Sequence, residues 1–99
     1  MTYKYQHIMD RNEAALAPLN LPERFKKSFA LELTHKEALK YSAQEQEAHG
    51  NVEKARNYYE ISDSRTPFML GMVDTLRALD MIDDETNTKL VNMAYGRTL

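Results

Sequence analysis

The chain has 99 residues, of which 42% are hydrophobic and 28% are charged, and its formal net charge is −2. This length suits one domain over residues 1–99, and the apolar content is too high for a disordered chain. The absence of cysteine excludes disulfides, thiolate catalysis and thiolate metal sites. No apolar run approaches the roughly 20 residues of a membrane helix, and we expect no secretory signal. These features favour a cytoplasmic protein with no membrane segment.

Two helices are predicted in the first third of the chain. The first extends from Tyr3 to Leu16 and ends before Pro18, because proline disfavours helical geometry in the residue before it. The second begins at Asn20 or Leu21, where Asn20 is a candidate N-cap. Its apolar residues recur every four positions and therefore share one face, which we expect to lie in the core. They are Leu21, Phe25, Phe29 and Leu33.

A capping-box pattern interrupts this second helix in the sequence. The segment Thr34-His35-Lys36-Glu37 matches S/T-x-x-E, which typically begins a helix. We therefore expect one helix to end near Leu33 and another to begin at Thr34. The close alternative is a single long helix with a kink at Thr34. Gly50 supplies a stop signal in either case, because glycine adopts the left-handed conformation that ends many helices.

The second half predicts three more helices. Asn51 is a candidate cap for a helix from Val52 to about Ile61, and a loop follows at 62–65. Thr66-Pro67 then provides a cap and a first-turn proline, which indicate a helix over 67–80. Asp83 caps a last helix over 84–95. The sequence thus predicts an all-α, compact bundle of five to six short helices with a C-terminal helical hairpin 67–80/84–95.

No pattern in the chain predicts catalytic chemistry. The three histidines are far apart, and the nearest metal-like pair, Glu45 and His49, supplies two ligands where a site needs more. Helix capping explains the acidic residues from Asp83 to Glu85 without an ion. No phosphate-binding, dinucleotide-binding or nucleophile-elbow motif is present. We expect no catalytic activity, no cofactor and no metal site.

A protein–protein interaction is the function that the sequence favours. Methionines and tyrosines are abundant, and both adapt well to partner surfaces. Tyr58 and Tyr59 are adjacent on one helix and point about 100° apart, so we expect one of them at the surface. The expected partner is another protein or a second copy of the chain. The candidate contact residues are Tyr58, Tyr59, Met69, Leu70 and Met81.

Two alternatives remain open at this point. The first is a dimeric, nucleic-acid-associated regulator that uses the basic helices of the Arg24–Lys40 region. Its basic residues are interleaved with glutamates, so nucleic acid is the less expected partner. The second is an enzyme with a scattered site around His35 or His49, which would require a buried histidine in a concave pocket.

Overall fold

Four α-helices account for the fold. The structure, a computed structural model, describes residues 4–97. The helices are α1 (Gln6–Leu16), α2 (Glu23–Ala48), α3 (Val52–Ala78) and α4 (Asp84–Ala94), and the described residues contain no strand. The all-α prediction is confirmed, but the predicted number of five to six short helices is wrong. The predicted start of the first helix at Tyr3 lies outside the described residues.

The predicted break at Thr34 is absent, because the Thr34 side chain makes hydrogen bonds inside the fold instead of capping a helix. The Thr34 hydroxyl donates to the carbonyl of Ala30 at 2.7 Å and accepts from the amide of Asn12 at 3.1 Å. Thr34 is fully buried and lies inside α2, so it caps no helix. The alternative of one long helix is the one that the structure shows.

The predicted loop at 62–65 and the predicted helix start at Pro67 are also wrong. Both segments lie inside α3, and 67–78 is the last part of that helix. Ser62 and Thr66 hydrogen-bond to α2 instead of ending or starting a helix. Pro67 has no N–H to donate to the carbonyl of Asp63, four residues earlier. Both residues are exposed, so water can satisfy that carbonyl.

The helix ends predicted at Gly50 and Asp83 are confirmed, and a second glycine, Gly96, follows the end of α4. Gly50 has a φ of +78° in the turn between α2 and α3, and Gly96 has a φ of +74° after α4. The Asp83 carboxylate accepts from the backbone N–H of Thr86 at 2.8 Å, which is the geometry of an N-cap. That hydrogen bond lowers the pKa of Asp83.

The core lies where α1 and α4 close over the antiparallel pair α2 and α3. The short turn at 49–51 makes the two long helices antiparallel, α1 packs against α2, and α4 packs against α3. Phe29 is fully buried, which confirms the predicted apolar face of the second helix. The predicted C-terminal hairpin corresponds to the last part of α3, 67–78, together with α4. The central cluster contains Leu16, Leu21, Phe29, Ala30, Leu33, Met69, Val73, Leu76, Leu90 and Ala94.

Substitution of Pro67 tests the continuity of α3. In a helix interior, proline costs about 3 kcal/mol relative to alanine, and restricting the unfolded chain returns about 0.4–1 kcal/mol. We expect Pro67→Ala to raise the free energy of unfolding by about 2 kcal/mol, as measured by urea denaturation. Pro18→Ala, in the loop after α1, is the control and should be slightly destabilising. A destabilised Pro67→Ala variant would restore the interpretation of Pro67 as a first-turn residue.

Candidate functional site

The five residues predicted to contact a partner do not share one surface. Met69 is fully buried in the core, and Leu70 is partly buried and packs against that core. Tyr58 and Tyr59 are both half-buried. Hydrogen bonding to Glu47 raises the pKa of the Tyr59 hydroxyl. Only Met81, in the link between α3 and α4, is an exposed residue of this set.

A different set of apolar side chains is exposed along α3 and at the residue that caps its C-terminal end, Leu79. Ile61, Phe68 and Leu79 are 47%, 59% and 64% exposed, and Met72 between them is partly buried. At 100° per residue, these four positions lie within about 20° of one line along the helix. We call these four residues the α3 stripe. Over a rise of 1.5 Å per residue, the stripe is about 27 Å long.

The sequence pattern alone did not separate this stripe from the core. Phe68, Met72 and Leu79 belong to a broad apolar arc that also contains the buried residues Met69 and Val73. The arc is wider than one packing face. The position of α2 and α4 decides which edge of the arc is covered, and helical periodicity carries no information on that position.

Gly71 lies beside the stripe in an open environment. It is exposed, and a Cβ added there would meet no atom within 4 Å. Glycine in a helix interior costs about 1 kcal/mol relative to alanine. No contact within the described chain requires a glycine at this position.

A second notable feature is the buried amine of Lys36. Its Nζ atom donates to the hydroxyl of Thr66 in α3 at 2.5 Å and to the carbonyl of Ala94 at the end of α4 at 2.8 Å. The backbone carbonyl of Lys36 also accepts from the hydroxyl of Ser62 at 2.9 Å. One residue of α2 is thereby hydrogen-bonded to both neighbouring helices.

The environment of this amine disfavours its charged form. Burial lowers the pKa of Lys36, the charge of Lys40 lowers it further, and Asp63 acts in the opposite direction. No carboxylate forms an ion pair with Lys36 among residues 4–97. The helix C-terminal carbonyl of Ala94 supplies partial negative charge in place of a carboxylate.

Lys36 also lines a cavity of about 460 Å³ between α1, α2 and the segment that ends α4. The cavity has four basic side chains and one acidic side chain, and the carboxylate of Glu37 forms an ion pair with Arg11. We call it the basic cavity. Its lining residues are Arg11, Asn12, Leu33, Lys36, Glu37, Lys40, Tyr41, Gln44, Met93, Gly96 and Arg97.

The basic residues of the Arg24–Lys40 region do not form one exposed face. Arg24 and Lys27 are exposed, whereas Lys36 is buried. The amine of Lys26 donates to the carbonyl of Ala17 at 3.0 Å and lies 3.6 Å from a carboxylate oxygen of Glu23. Few of these cations would therefore be exposed for contact with a nucleic acid on α2.

The histidines and carboxylates show no further clustering. In the range 4–97, no group of three or more histidine, aspartate or glutamate side chains is close enough to share a metal ion. His35 is half-buried and His49 is exposed, so neither occupies the buried position that the enzyme alternative requires. None of the described helices has the length and apolarity needed to cross a membrane.

Comparison with known proteins adds no relative. The chain matches no protein-family model, no curated protein and no solved structure.

The pH dependence of stability tests the environment of Lys36. Its pKa is lower in the folded chain than the ordinary value of 10.5, so the unfolded chain binds more protons in the alkaline window between the two values. The contribution of Lys36 to the free energy of unfolding should therefore rise with pH across that window. We expect the wild-type value minus the Lys36→Met value to increase as the pH rises towards 10.5, as measured by urea denaturation. A difference that stays flat or falls would contradict the assignment.

Proposed function

We propose that the protein acts through protein–protein interaction and that the α3 stripe is its contact surface. The observation that carries the proposal is the alignment of Ile61, Phe68 and Leu79, which are all large, apolar and exposed on one side of α3. Single exposed apolar residues are ordinary on a protein surface. Apolar residues that recur along a line about 27 Å long, with only Arg65 and Thr75 between them, are more than isolated exposed side chains and are a candidate partner surface.

The spacing of the stripe favours a helix as the partner element. Alternating steps of four and three residues run along this side of α3, as they do along the seam of a coiled coil. A helix with the same spacing would pack against it. The positions of this seam are Ile61, Arg65, Phe68, Met72, Thr75 and Leu79.

A second copy of the chain fits this seam well. In an antiparallel pair related by a two-fold axis at position 70, Ile61 faces Leu79 of the second copy and Phe68 faces Met72 of the second copy. Every large apolar residue of the stripe then meets another one. Gly71 lies level with the axis but about 80° around α3 from the line of the stripe, so it leaves open space beside the contact. We therefore propose self-association through α3 as the first interaction to test.

Light scattering on matched variants tests the second copy. The chain has a mass of 11.5 kDa, and we expect the wild type to have twice that mass in solution. Phe68→Lys should weaken the dimer by about tenfold or more, because it buries an unpaired charge in an apolar seam. Val52→Lys is the control: Val52 is 65% exposed but lies about 180° around α3 from the stripe. Circular dichroism checks that both variants keep their helices.

A monomeric wild type would exclude the second copy and leave another protein as the occupant. A photo-activatable cross-linker at Phe68, compared with one at Val52, then tests that partner in cells that produce the protein. A discrete adduct at Phe68 alone would support the proposal. A monomer with no adduct specific to Phe68 would contradict a protein–protein interaction through α3.

A further inference from the structure

The basic cavity has more positive charge than the fold itself uses. Its lining includes Arg11, Lys36, Lys40 and Arg97 against the single carboxylate of Glu37, although the whole chain has a formal net charge of −2. The guanidinium of Arg11 is paired with Glu37. The ammonium group of Lys36 donates hydrogen bonds to Thr66 and Ala94, which leaves its third N–H for another acceptor.

Lys40 and Arg97 have no carboxylate partner among residues 4–97. The Arg97 guanidinium lies 4.6 Å from the ring centroid of Tyr95, and the amine of Lys40 lies close to Gly96. Like charges that lie close together repel one another. Burial and the charge of Lys40 both disfavour the charged form of Lys36, whereas Asp63 favours it. The repulsion between Lys36 and Lys40 therefore opposes folding.

Negative charge inside the cavity would attract these cations and offset their mutual repulsion. An oxyanion placed among the three amine and guanidinium groups of Lys36, Lys40 and Arg97 would accept charge-assisted hydrogen bonds, which are stronger than neutral ones. Gln44 and Tyr41, whose side chains carry polar groups, also line the cavity. Leu33 and Met93 supply apolar wall for a carbon skeleton attached to the anion.

We propose that the basic cavity is a binding site for a small molecule that carries a phosphate or carboxylate group. Such a pocket combines a few convergent polar groups with apolar walls, as small-molecule sites commonly do. The site is independent of the α3 stripe, because its lining belongs to α1, α2 and the end of α4. Its test and the test of self-association therefore fail or succeed separately.

Titration by NMR with inorganic phosphate tests the site, and a parallel titration with acetate distinguishes the two anion chemistries. Sodium chloride is added to keep the ionic strength constant, because a change in ionic strength by itself alters the interactions of exposed charges. We expect saturable shifts of backbone amides confined to 11–12, 33–44 and 93–97. Saturation by phosphate alone, or by acetate alone, identifies which oxyanion the cavity prefers. The absence of any saturable shift with both anions would overturn the proposal.

Three variants separate the cavity from general surface charge. Lys40→Gln and Arg97→Gln remove cavity cations, and we expect each to weaken the affinity for the anion about tenfold or more. Lys54→Gln removes an exposed lysine of α3 outside the cavity and should bind as the wild type does. Equal affinity in all three variants would show that the anion collects on the surface and would overturn the proposal.

Stability measurements add a readout that does not depend on chemical shifts. Without added anion, Lys40→Gln should unfold at the same or a higher urea concentration than the wild type, because it removes repulsion from Lys36. Phosphate at constant ionic strength should raise the midpoint of the wild type but not that of Lys40→Gln. A phosphate-induced rise of the same size in both proteins would contradict the site.

Discussion

The hydrogen bonds of the Lys36 ammonium group are the interaction on which the arrangement of the helices most depends. Lys36 lies on α2, donates to Thr66 on α3 and donates to the carbonyl of Ala94 at the end of α4. A buried cation is tolerated only where acceptors are already in place. The amine therefore restricts both neighbours: Thr66 must face α2, and the negative end of the α4 dipole must lie over the same point. Buried Leu90 and Ala94 pack α4 against the core, and the hydrogen bond from Lys36 to the carbonyl of Ala94 adds a directional contact at its C-terminal end.

The same polar contacts explain why local signals in the sequence predicted too many helices. Thr34, Ser62 and Thr66 each fit a cap or a loop when only neighbouring residues are considered. In the folded chain, all three hydroxyls are buried and bond across a helix interface or back along their own helix. A hydroxyl has the same local preference whether its partner is a backbone N–H or a residue 30 positions away. Only the tertiary arrangement decides between the two.

Other parts of the structure follow from local physics and were predictable. The turn at Gly50 and the cap at Asp83 depend on a few adjacent residues, and the burial of Phe29 follows from four-residue spacing. The candidate surfaces were harder to predict from the sequence. The prediction of Met69 as a contact residue is wrong in its placement, because Met69 is buried in the core. A methionine on a wide apolar arc can face either the core or the surface. The basic cavity joins residues from both ends of the chain, and no spacing rule connects those residues.

The region around Phe68 departs from what stability alone would favour. Pro67 and Gly71 both lie inside α3 at exposed positions, where alanine would be more favourable by about 2 and about 1 kcal/mol. The fold does not need either residue, because no atom lies within 4 Å of a Cβ added to Gly71, and Pro67 is exposed to solvent. Local conflicts of this kind concentrate at functional sites. Both conflicts here lie within three residues of the most central exposed side chain of the α3 stripe. The partner that we propose for the α3 stripe would account for this placement, whereas the contacts of the isolated bundle give no reason for it.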